Sequence, residues 1–83
     1  MKLNRVFLVG KVRMAKHLDG GFQLKVESKE ATVTVGVTSD MFHLQGGWAQ
    51  PSSAEGKTVC LEGHLGPTGK FVVTSLQVMG VKP

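Results

Sequence analysis

Apolar and polar residues alternate along most of this chain, and the alternation has a period of two. In the first segment Val6, Leu8, Val12 and Met14 fall on one face with Gly10, and Phe7, Val9, Lys11 and Arg13 fall on the other. Successive side chains of a strand point to opposite faces, so Asn4–Met14 is predicted as a long first strand. A glycine inside such a strand marks a bulge or bend, which lets one strand serve both sides of a small closed sheet. Ala15–Gly21 reads as a loop, with Asp19-Gly20-Gly21 as its turn signal. Phe22–Ser28 is predicted as the second strand: Phe22, Leu24 and Val26 share one face, and Gln23, Lys25 and Glu27 the other. Lys29-Glu30 fits a tight reversal. In the third strand, Ala31–Thr38, Val33, Val35 and Val37 alternate with Thr32, Thr34, Gly36 and Thr38, a half-buried pattern.

The period then changes. Ser39–Gln45 predicts one or two helical turns, with Ser39 as the cap and Met41 and Leu44 on one side. Gly46-Gly47 ends them, and Trp48–Glu55 reads as a loop because Pro51, Ser52 and Ser53 resist regular structure. Lys57–Leu65 is a fourth strand, with Val59, Leu61 and Gly63 facing one way. Gly66-Pro67-Thr68-Gly69 is a strong turn, and Lys70–Val78 is the fifth strand. The expected fold class is therefore all-β: a five-stranded, partly open Greek-key barrel of the OB type, with a short helical turn or loop between the third and fourth strands. An immunoglobulin-like sandwich needs more strands. An SH3-like barrel gives no reason for the long segment after the third strand.

With 83 residues the chain is expected to be one domain, 1–83. A core this small gains from association with another copy. The opening from Met1 is too short and too alternating for a signal peptide or a membrane helix, so a soluble cytoplasmic protein is expected. Cys60 is the single cysteine, which excludes an internal disulfide, and it makes no zinc spacing with the histidines. His17, His43 and His64 form neither a metal pattern nor a nucleophile–base arrangement. No metal, no cofactor and no enzymatic activity are expected.

Asn4-Arg5-Val6-Phe7-Leu8-Val9-Gly10-Lys11-Val12 resembles the opening strand of bacterial single-stranded DNA-binding proteins and the related primosomal replication protein. Gly56-Lys57-Thr58-Val59-Cys60-Leu61-Glu62-Gly63-His64-Leu65 is similar to their fourth strand, and Gly69-Lys70-Phe71-Val72-Val73 to the start of their fifth. The order and spacing match over almost the whole length. The resemblance implies an OB barrel that binds single-stranded DNA in replication, recombination or repair, and a first strand that pairs across a dimer. The chain departs from that family in three places. The region between the third and fourth strands has room only for a short turn where the family has a helix. The outward third-strand positions are Thr32, Thr34 and Thr38 where the DNA-binding members carry an aromatic. No acidic-tipped tail like the family's is expected, as in the primosomal protein.

Net charge is +4, so the placement of the cations matters more than their sum. Single-stranded nucleic acid needs cations along its phosphates and flat side chains against its bases. Lys11 and Arg13 on the first strand, Lys16 after it, Lys25 on the second strand, Lys29 at its end and Lys70 before the fifth are expected to meet on one side of the barrel. Glu27 and Glu30 dilute that patch. With four Phe, one Trp and no Tyr, stackers are few. Phe22 alternates with core residues, Trp48 is the best stacking candidate, and Phe71 suits either core or stacking. Trp48 also suits a lid on the core or an interface anchor. Apolar side chains on both faces of the first strand imply a covered outer face. Arg5, Phe7 and Val9 are the expected homo-oligomer interface, the other possibility being a loop of the same chain.

Two functions remain open. One is sequence-independent binding of single-stranded nucleic acid, DNA before RNA. The other is a small OB adaptor that binds a protein and little or no DNA, which the scarcity of outward aromatics favours.

Overall fold

The computed structural model describes residues 5–80. Asn4, the first residue of the predicted first strand, lies outside them. Five strands form one antiparallel sheet: β1 Val6–Leu18, β2 Gly21–Glu27, β3 Thr32–Thr38, β4 Thr58–Leu65 and β5 Phe71–Val78. Their order is β3-β2-β1-β4-β5. Between β3 and β4 lie a π-helical turn, Met41–Gln45, and a one-turn helix α1, Pro51–Ala54. Among the described residues, no helix is long and apolar enough to cross a membrane.

β1 holds the sheet together by serving two partners. Its first half, Val6–Gly10, pairs with β4, and its second half, Val12–Leu18, pairs with β2. Gly10 sits at the change of partner. A Cβ there would stand 2.5 Å from the Glu27 carbonyl oxygen and 2.8 Å from Val26 Cγ1, so β1 can cross the end of β2 only with glycine at this point. Gly63, where β4 meets β5, is similarly obliged, because a Cβ would collide with the Val72 carbonyl.

β3 and β5 are the sheet edges. They touch each other but share no ladder, so the sheet is not closed by hydrogen bonds into the expected barrel. The gap is partly bridged by a side chain. Gln45, at the end of the π turn, accepts the Leu76 N–H of β5 at 2.8 Å. An edge N–H satisfied by the molecule's own amide is no longer open to a stray strand.

The core has the expected aliphatic ranks, Leu24 and Val26 of β2, Val35 and Val37 of β3, Val59 and Leu61 of β4, all buried. Four local expectations are corrected. Ala15–Leu18 is strand, not loop, so the β1–β2 connection shrinks to Asp19-Gly20. A bulge at Arg13, between the pairs Val12–Val26 and Met14–Lys25, shifts the alternation: Ala15 is buried, and Met14 turns outward at 43% exposure. In the π turn the first N–H is met by Thr38 rather than Ser39, the Met41 N–H lying 3.1 Å from Thr38 Oγ1. Phe42 is the buried residue there, while Leu44 is exposed. Finally, Pro51 starts a helix instead of preventing one. At the first helical position proline lacks an N–H that would be unpaired anyway, and α1 buries Ala54 against β1.

Candidate nucleic-acid interface

Two surfaces of the sheet stand out, and each follows from one half of β1. On the outer face of the second half, cross-strand register aligns Lys16 with Gln23 and Gly36, and Met14 with Lys25 and Thr34. Alternation points these residues away from Leu24, Val26, Val35 and Val37, and Lys16, Lys25, Thr34 and Gly36 are exposed. Thr32 and Thr38 extend the face along β3 and are exposed too.

The second surface runs beside the first half of β1. A groove of about 430 Å³ is lined by Phe7, Val9, Lys11, Lys29, Glu30 and Thr58, among others. Phe7 and Val9 stand 59% and 52% exposed on its rim. The edge of Val6–Gly10 away from β4 carries no strand among the described residues. Cys60, half-buried, lies directly across from Val9 on the same outer face. A smaller apolar cleft, about 180 Å³, joins Val6, Phe7, Leu8, Val33, Leu65 and Phe71. It brings the β4–β5 turn, and with it Lys70, beside the start of β3.

The cations do not act as one set. Arg13 is drawn out of the patch by Glu27, to which its guanidinium donates. Arg5 pairs with Glu62 at 3.1 Å. These are the ion pairs among the described residues, so Lys11, Lys16, Lys25, Lys29 and Lys70 keep their ammonium groups in solvent. Lys16 and Lys25 share the outer face of the β1–β2 hairpin, and Lys11 and Lys29 share the groove. Lys57, which the strand pattern alone did not single out, is exposed just before β4, where its carbonyl accepts the Val12 N–H at 2.8 Å. Only pairing across strands far apart in sequence reveals it.

The expected stacking role of Trp48 is corrected. Trp48 is 6% exposed and belongs to the core. The polar loop around it folds inward because Trp48 meets the edge of Phe42, ring centroids 5.1 Å apart. Phe42 in turn stacks on Phe22 at 3.8 Å, nearly parallel. His43 closes the cluster: its Nδ1–H donates to the Trp48 carbonyl at 2.8 Å, and its ring stands edge-on to Phe22 and Phe42. His17, expected beside Lys16 in a loop, stands instead at the end of β1 with its ring edge-on to Phe22. Phe71 is half-buried against the core in the apolar cleft. Among the described residues, no three His, Cys, Asp or Glu side chains gather as a metal site requires.

No family model matches the chain, and neither a curated protein nor a solved structure matches it.

Proposed function

We propose that this chain is a single-stranded nucleic-acid-binding module of OB architecture that works as a homo-oligomer in the cytoplasm, with DNA in replication, recombination or repair as its strand. The observation that carries this reading is the placement of four unpaired lysines. Lys16 and Lys25 stand on the outer face of the β1–β2 hairpin, and Lys11 and Lys29 continue from it into the adjoining groove. The nearby Glu27 is already engaged by Arg13, so it does not cancel them. The OB assignment is supported by the strand order and by the way β3 and β5 face each other across a gap that a barrel would close there. In an OB barrel the face of the second and third strands is the one that meets oligonucleotides.

The oligomer is supported by the first half of β1. Its outer face is apolar and its edge away from β4 is unpaired. A second copy of the same strand offers a matching edge and a matching pair of apolar side chains, which is what a two-fold contact needs; paired there, it would cover the Phe7–Val9 part of the groove and leave Lys11 and Lys29 beside the joint. Cys60 supplies a readout, because it would be covered along with Val9.

The protein-adaptor reading draws on the burial of Trp48 and on the absence of an exposed aromatic beside Lys16 and Lys25, Phe7 standing further along, on the rim of the groove that holds Lys11 and Lys29. One titration separates the two. Fluorescent oligothymidine is expected to bind at low salt, and log K to fall with log salt at a slope of about −3, from four phosphates at roughly 0.7 each. Absence of binding at low salt would leave the adaptor.

A further inference from the structure

We propose, building on the nucleic-acid reading above, that the outer face of β1–β3 grips the sugar–phosphate backbone of the strand and stacks none of its bases. Single-strand binding faces ordinarily combine cations with aromatic platforms. This one has only the first element. Phe22, Phe42 and Trp48 are consumed by the interior stack. Phe71 is half-buried in the apolar cleft. Phe7 stands off this face, opposite Glu62 on the other half of β1, on the rim of the groove beside Lys11, where the apolar pair Phe7 and Val9 is assigned to the contact between copies. Besides Met14 and Leu18, what the face presents is ammonium, amide and hydroxyl, from Lys16, Lys25, Gln23, Thr32, Thr34 and Thr38. These polar groups can all donate to phosphate oxygens, the contacts that position a strand without reading it.

Gly36 points the same way. A glycine inside a strand weakens it and ordinarily marks a turn, a bulge or a close approach. None of these applies inside this molecule. The β2–β3 ladder runs in register from Gly21–Thr38 to Glu27–Thr32 without a bulge. Gly36 is not among the glycines with positive φ, and a Cβ built on it would meet nothing within 4 Å. The residue therefore leaves a shallow gap on the outer face, beside Gln23 and between Thr34 and Thr38. The charge around the gap, with Lys25 and Lys16 beside it, suits a phosphate-bearing chain approaching the sheet backbone.

The test compares oligothymidine with an abasic oligonucleotide of the same length and label, at one low salt concentration and one higher. Equal salt slopes and affinities within about fivefold are expected, since even one stacked base is worth roughly fivefold or more. A larger loss for the abasic strand would overturn the proposal and leave nucleic-acid binding intact. If neither probe binds, the nucleic-acid reading itself fails and takes this one with it. Gly36→Val fills the gap with a good strand former. It is expected to keep or raise the melting temperature while weakening both probes about tenfold, on the scale of one phosphate held off the sheet. A folded Gly36→Val protein that binds both probes as before would remove Gly36 from the site. The comparison of the two probes on the unaltered protein decides the main claim without any variant.

Discussion

The two halves of β1 belong to one strand yet behave as different materials. Val6–Gly10 has apolar side chains on both faces and one bonded edge. Val12–Leu18 buries Val12 and Ala15, turns Lys16 to solvent and pairs with β2. The change occurs over Gly10, where the strand crosses from one partner to the other, and over Arg13, where the bulge resets its faces. The lesson is that one strand can present two outer faces of different chemistry once its partner changes and a bulge resets its alternation. The first half carries Phe7 and Val9 outward, which water does not favour and a second copy would. The second half carries lysine outward, which water or a polyanion accepts.

Four variants test that division. The largest effect is expected beneath the second half, where Trp48→Ala would open a cavity beside Phe42. Loss of about 3–5 kcal/mol of stability is expected in urea unfolding, with the affinity of the remaining folded protein for oligothymidine unchanged. A selective loss of affinity with unchanged stability would return Trp48 to the binding surface. Next comes the junction itself. Gly10→Ala forces a Cβ against the Glu27 carbonyl and Val26, and a cost of about 1–3 kcal/mol is expected from overpacking, read as a lowered thermal midpoint.

The first half is probed by Phe7→Gln combined with Val9→Thr. Both positions are more than half exposed, so the stability of an isolated protomer should move by no more than about 0.5 kcal/mol for each. Sedimentation should show a shift to monomer, and Cys60 should react faster with a thiol reagent. An unaltered sedimentation profile would end the β1 interface. The smallest effect on stability, again within about 0.5 kcal/mol, belongs to Lys16→Ala with Lys25→Ala. Its signature is electrostatic: the salt slope for oligothymidine should flatten by about 1.4, roughly 0.7 for each phosphate that is no longer neutralised. An unchanged slope would place the strand elsewhere.

Much of this molecule is legible in the sequence. The five strands and the inward ranks of Leu24, Val26, Val35, Val37, Val59 and Leu61 followed from alternation, because the two faces of a strand are fixed by local geometry. Gly10 was legible as a special position, but the bulge lies at Arg13, and what requires the glycine is the close approach of Val26 and Glu27. The candidate site was legible only in part. The lysines could be found, but not the loss of Arg13 to Glu27, which are 14 residues apart and meet only through strand pairing. Met14 was misplaced for want of the bulge, since an extra residue in one strand is defined only against its partner.

The sequence by itself determined the class of structure and the composition of its surfaces: all-β, five strands, an aliphatic core, apolar Phe7 and Val9, and a mildly basic exterior. Tertiary structure alone decided which side chains those surfaces keep. It drew Trp48 inward onto Phe42, tied Gln45 to the Leu76 N–H, and left Lys16 and Lys25 on a face without aromatics. The physical reason is range. Strand periodicity is written in neighbouring residues, whereas burial, ion pairing and edge protection depend on segments that come together only when the sheet forms.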